Sequence, residues 1–191
     1  MKKHIFVVAL VTLFLNLQAQ TEVKINTLGT IIINPSVSAE FAATENIGIE
    51  PYLGLTRFGL TIDNKKYKTR GPNYGVLGKY YISPEGGIDK FYVGLAFRGG
   101  NSKYTFTTDS TSAKEAFTRQ KLGVDVCLGY KWVSENNVVF EISAGLGRKI
   151  SNKFTVVDRT VNVNNIPFLN FDGFIKFNVG YRFGGGGSRK N

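Results

Sequence analysis

Lys121-Leu122-Gly123-Val124-Asp125-Val126-Cys127-Leu128-Gly129-Tyr130-Lys131-Trp132 sorts its side chains into two sets with a period of two. Leu122, Val124, Val126, Leu128, Tyr130 and Trp132 form one set; Lys121, Gly123, Asp125, Cys127, Gly129 and Lys131 form the other. An extended strand puts such sets on opposite faces, whereas a helix turning every 3.6 residues mixes them. This stretch is therefore a strand with one apolar face and one face of glycine and charge.

The same division returns along the chain. In 169–183, Phe171, Ile175, Phe177, Val179, Tyr181 and Phe183 oppose Asn170, Asp172, Lys176, Asn178 and Arg182. In 138–150, Val138, Phe140, Ile142, Ala144 and Leu146 oppose Glu141, Ser143, Gly145, Gly147 and Lys149. Phe91 to Phe97, Ile47 to Leu55 and Ser36 to Ala42 repeat it over shorter spans, Asn73 to Ile82 is a Tyr-rich run, and Val23 to Ile33 is the least regular. Eight strands are predicted. The connections Ala43 to Asn46, Ser83 to Asp89 and Ser134 to Asn137 are short and turn-rich, while Leu60 to Gly71, Phe106 to Ala116 and Ser151 to Pro167 are longer. Asn34-Pro35 makes the first connection on the long-loop side very tight. Short turns at one rim and longer loops at the other are the rhythm of a membrane barrel. The fold class read from this pattern is all-β, an eight-stranded antiparallel up-and-down transmembrane β-barrel. An even number of strands closes the sheet and leaves no unpaired edge, which hydrocarbon would penalise at every backbone group.

Lys2 and Lys3, the apolar stretch Ile5 to Leu15 and the small residue Ala19 read as a signal peptide over 1–19, with an apolar run too short to span a bilayer. The barrel domain is then 20–183, and 184–191 is a Gly-rich flexible tail. The formal charge of +10 includes Lys2, Lys3, Arg189 and Lys190, so much of the excess is local; nucleic acid is not an expected partner of an exported barrel. Cys127 has no second cysteine to pair with and reads as a small strand filler. His4 is the only histidine and falls in the signal, which removes the commonest general base and the commonest imidazole metal ligand. No catalytic residue, cofactor or metal site is predicted.

Alternation alone fits two opposite objects, a membrane barrel with apolar residues outside or a soluble lipocalin-like barrel with apolar residues lining a ligand cavity. Charge-free apolar faces, glycine on the polar faces, and Tyr80, Tyr130, Trp132, Tyr181 and Phe183 near strand ends favour the membrane version. The signal ending Leu17-Gln18-Ala19-Gln20, the segment Asn34 to Phe41 and the closing Phe177-Asn178-Val179-Gly180-Tyr181-Arg182-Phe183 resemble small outer-membrane barrels of the OmpA/OmpX kind. They are especially similar to an uncharacterised barrel family with an N-x-G-Y-R-F ending. That resemblance implies a bacterial outer-membrane location and a last strand, with Tyr181 and Phe183, read by the barrel-assembly machinery; the extension Gly184 to Asn191 departs from it.

In the membrane orientation Glu40, Glu50, Asp125, Glu141 and Asp172 point inward with Lys79, Arg98, Lys121, Lys131, Lys176 and Arg182. An eight-stranded barrel is just wide enough for side chains to fill it, so these groups are expected to interlock as a structural charge network. Lys65, Lys66, Lys68 and Arg70 form a basic loop facing lipopolysaccharide phosphates or another anionic partner. The function read from the sequence is an outer-membrane barrel with a structural or surface-binding, adhesion-like role. Its partners are outer-membrane lipid, lipopolysaccharide and the assembly machinery, with the extracellular partner unidentified. The alternatives are a soluble periplasmic barrel holding a hydrophobic ligand, or a narrow pore.

Overall fold

The computed structural model describes residues 20–32, 34–62, 65–108, 111–156, 159–162 and 170–184. Its elements in chain order are β1 (Thr21–Asn26), the short helix α1 (Thr27–Ile32), β2 (Ser36–Ala42), β3 (Ile47–Ile62), β4 (Lys65–Tyr81), β5 (Lys90–Thr108), β6 (Thr111–Val133), β7 (Val138–Val156), β8 (Arg159–Asn162) and β9 (Phe171–Phe183). Each strand from β1 to β7 pairs antiparallel with the next, β7 pairs with β9, and β9 returns to β1. The closing register sets Val23 opposite Tyr181 and Ile25 opposite Val179. Eight strands thus form the ring, and β8 is a short return strand on the far end of β7, pairing Lys153 with Asn162.

The faces follow the alternation. Glu22, Lys24, Glu40, Glu50, Lys79, Lys131 and Glu141 are buried inside the ring, while Val126, Leu128, Leu146, Ile142, Ile175 and Phe177 lie on its outer surface. This reverses a water-soluble core and removes the basis for the lipocalin-like alternative, whose apolar residues would line the lumen. From Trp132 to Leu122, ten residues of a tilted strand rise roughly 25 Å, the height of a hydrocarbon-facing band. Tyr130 with Trp132, and Tyr181 with Phe183, pack ring against ring at one edge of that band, at centroid distances of 4.7 and 5.0 Å. Both are near the rim that carries the turns 43–46, 82–89 and 134–137.

Three expectations need correction at the opposite end. The stretches read as long loops are largely hydrogen-bonded ribbon: β3 and β4 continue pairing to Ile62 and Lys65, β5 and β6 to Thr108 and Thr111, and β7 pairs with β8 out to Val156 and Arg159. There the apolar residues change parity, Leu53 and Leu55 giving way to Phe58 and Leu60 on β3 and Leu95 and Phe97 to Tyr104 and Phe106 on β5, so the period of two does not run on in phase although the backbone is still extended. Lys65, Lys66, Lys68 and Arg70 accordingly sit on β4, not in a loop. At the first strand, Val23 to Ile33 does not continue as a strand. Asn26 caps α1 instead, its side-chain oxygen accepting a hydrogen bond from Gly29 N at 2.9 Å while Thr30 Oγ1 donates to Asn26 O at 2.8 Å. The connection from β1 to β2 is therefore helix plus the stretch through Pro35, rather than a tight Asn34-Pro35 turn. The expected signal peptide and all of the expected tail beyond Gly184 lie outside the described residues.

Candidate functional site

Charge fills the half of the lumen nearer the turn rim. Lys24 on β1 reaches Glu40 on β2, Glu50 on β3 at 2.6 Å and Glu141 on β7 at 2.5 Å. Lys79 on β4 meets the same three carboxylates, at 2.9 Å from Glu40 and 2.7 Å from Glu141 and in contact with Glu50. Lys131 on β6 bridges Glu22 at 2.7 Å and Glu40 at 2.8 Å. Arg182 on β9 donates to Glu22 Oε1 from Nε at 2.9 Å and from Nη2 at 2.7 Å. The hydroxyls of Tyr81 on β4 and Tyr92 on β5 donate to Glu40 and Glu141 at 2.5 and 2.7 Å. Every strand of the ring contributes to this cluster, and its four cations match its four carboxylates. Isolated buried charges would be prohibitively costly, so mutual pairing is what lets them occupy the interior.

The turn after β4 closes the lumen from below. Arg182 donates to Gly86 O at 2.6 Å and to Ile88 O at 3.1 Å, Gln20 is hydrogen-bonded to Gly86 O and Ile88 N, and Ile88 is fully buried. Asp89 accepts from the backbone of Glu85 and Gly86, fixing the turn. Gly87 adopts a φ of 89°, a left-handed conformation that favours glycine.

Tight approach across the lumen also depends on missing side chains. A Cβ on Gly129 would lie 2.3 Å from Tyr92 Cζ, so the bare backbone of β6 is what allows Tyr92 to lie flat and reach Glu141.

Glu40, Glu50 and Glu141 also bring carboxylate oxygens within 4.8 Å of one another, the spacing of a metal site. The ammoniums of Lys24 and Lys79 occupy that focus and, with Lys131 on Glu40, neutralise it, so the arrangement does not fit a divalent ion.

Further toward the ribbons a second cluster is unbalanced. Arg98 pairs with Asp125 at 2.9 Å and lies 3.8 Å from Asp172, which is also 3.8 Å from Lys149. Lys121 and Lys176, expected to join a paired network, have no carboxylate within ion-pair distance among the described residues. Lys176 Nζ instead sits 3.8 Å above the Tyr52 ring, and Arg119 is held by Asn152 and the Phe154 ring. A cavity of about 250 Å³ opens among these cations. On the outer surface Arg57, Arg70 and Lys103 lie side by side, since Arg70 is in register with Arg57 on one flank and Lys103 on the other. All three are exposed. Lys68 is exposed two residues along from Arg70, while the side chains of Lys65 and Lys66 lie outside what the structure describes.

Sequence reasoning overlooked Glu22, Lys24, Tyr81 and Arg119 as interior groups. The signal for the first two was present, because Glu22, Lys24 and Asn26 alternate with Val23 and Ile25, but five residues before a helix are too few to stand out. Tyr81 has an apolar body that a binary pattern does not assign to the charged face.

Among solved structures, the chain is similar to Ail, the attachment invasion locus protein of Yersinia pestis. The TM-score is 0.49 and the identity 12%, covering 86% of this chain and 99% of that one. No curated protein matches it. Residues 4–173 match the model of the family described as Protein of unknown function (DUF3575). With that match extending over most of its length, the chain belongs to the DUF3575 family.

Proposed function

We propose that this barrel is a non-conducting component of the bacterial outer membrane, with a structural and surface-binding role and no catalytic one. The observation that carries the reading is the inverted burial: apolar side chains form an outward band around a lumen filled by a balanced charge network drawn from seven of the eight ring strands, with the Tyr92 hydroxyl joining it from β5. The narrow-pore alternative is disfavoured because Lys24 and Lys79, locked between carboxylates and sealed below by Ile88 and Arg182, leave no water-lined path at that level among the described residues. Above the band, Arg57, Arg70 and Lys103 present adjacent like charges, an arrangement that repels itself unless an anion bridges it. Lipopolysaccharide phosphates at the headgroup level supply that anion, and the ribbons beyond them supply the surface for an extracellular partner. Assembly through the last strand, ending in Tyr181 and Phe183, belongs to the same reading.

The test joins cell fractionation to electrophoresis with and without boiling, then planar-bilayer recording of the purified protein. A heat-shifted band in the outer membrane and a silent bilayer are expected. A soluble periplasmic band would overturn the membrane reading, and steady single-channel currents would overturn the plug.

A further inference from the structure

The barrel wall is not equally tall all round. β1 has six residues and β2 seven, against the roughly 9–11 that a membrane-crossing strand needs. β9 is paired with β7 along Phe171 to Tyr181, but on its other flank β1 reaches only to Asn178. Thr27 donates to Phe177 O, and α1 packs against the strand. From Phe171 to Lys176, no strand adjoins that flank among the described residues. Across the gap, β3 continues past Gly54 after β2 has begun at Ser36. The result is a lateral notch between β9 and β3.

The unbalanced cavity lies behind this notch. Its wall includes Gly173 to Lys176, the stretch of β9 whose flank no described strand covers, together with Asn34 and Ser36 on either side of Pro35. Arg98, Arg119, Lys121 and Lys176 line it, and among the described residues no carboxylate does. Lys176, only 7% exposed, has no anionic partner among the described residues, and the buried Arg98 Nε has no acceptor. The level is also informative. Lys121 and Arg98 adjoin Leu122 and Phe97, the last outward apolar residues of β6 and β5 before Gln120 and Lys103. Beyond that boundary the outer face is polar, so the cavity opens at headgroup height.

The geometry points to an anion-binding cup that takes a phosphate or phosphate-ester group, entering either from the bilayer through the notch or from the aqueous side. Two guanidiniums and two ammoniums converging on a small cavity match the several acceptor oxygens of such a group. A volume of about 250 Å³ is below the roughly 300–1,000 Å³ of pockets for drug-sized ligands and suits a head group rather than a whole lipid. The phosphate chemistry is independent of the membrane reading; only the bilayer route rests on it.

The full chain is refolded in zwitterionic detergent and its folded state is established by the heat shift. Pyrophosphate binding is measured by calorimetry, and capture of bis-phosphorylated lipid A against dephosphorylated lipid A from phosphatidylcholine bilayers is measured by mass spectrometry of the extracted protein. At least one phosphorylated probe binds. The combined change Lys121→Gln and Lys176→Met weakens it about tenfold or more, while Arg148→Gln with Lys153→Gln, both exposed and outside the cavity wall, changes it by no more than about twofold. Selective capture of bis-phosphorylated lipid A without pyrophosphate binding assigns the bilayer route, and pyrophosphate binding without lipid capture assigns the aqueous one. Because Lys176 has no carboxylate to lose among the described residues, Lys176→Met melts no lower than the parent without ligand. Failure of the folded protein to bind either probe overturns the cup, as does binding that survives the Lys121 and Lys176 change or falls equally with the Arg148 and Lys153 change.

Discussion

Glu40→Gln removes one negative charge from the interior cluster with almost no change in volume. Glu40 receives Lys24, Lys79 and Lys131 on one oxygen and the Tyr81 hydroxyl on the other. After the change, the four cations face only Glu22, Glu50 and Glu141, leaving one buried positive charge without compensation. Breaking a buried pair from one side costs about 3–5 kcal/mol. With a urea slope of about 2 kcal/mol/M, that moves the unfolding midpoint down by roughly 1.5–2.5 M. Lys131→Met in the same chain removes the cation bound only by Glu22 and Glu40, and Glu22 keeps Arg182. The double variant restores three charges of each sign, so it is expected to be more stable than Glu40→Gln alone. The assay is urea-dependent folding into phospholipid vesicles, followed by the fluorescence of the single tryptophan, Trp132, which lies on the outer face near the turn rim. A Glu40→Gln cost below about 1 kcal/mol would refute the argument that buried charge balance holds this lumen, because that is the scale of an exposed pair. Additive costs in the double variant would refute the coupling itself.

The outer face and the close-packed lumen give two further tests. Leu128, 52% exposed in the middle of the outward band, tolerates no charge there: Leu128→Arg is expected to cost about 2–4 kcal/mol in the same folding assay. Unchanged stability would mean that this surface does not meet hydrocarbon. Gly129→Ala drives a Cβ into the Tyr92 ring and is expected to cost about 1–3 kcal/mol, recovered in part by Tyr92→Leu, which frees the space but forgoes the Glu141 hydrogen bond. A melting temperature unaffected by Gly129→Ala would show that Tyr92 is free to move aside.

The sequence by itself determined the all-β class, the eight-strand ring and the rim on which the short turns sit, because a period of two is a local property that any apolar and polar alternation carries. Lys121 to Trp132 shows it in a dozen residues. It also supplied the membership of the inward face at Glu40, Glu50, Lys79, Lys131, Glu141 and Arg182, since facing is set by strand parity. Partnership is not. Which carboxylate meets which ammonium depends on the height at which each strand enters the ring, so only the closed structure decided that Lys24 joins β2, β3 and β7 while Lys121 and Lys176 have no carboxylate partner among the described residues. The ribbons escaped notice because the apolar residues change parity where the strands leave the barrel, Phe97 giving way to Tyr104 and Phe106, which reads as the end of a strand. The helix after Asn26 escaped because a cap and one turn are overruled or permitted by what packs beside them. The notch, finally, is a difference in length between neighbouring strands, and a relation between neighbours exists only once the chain has closed on itself.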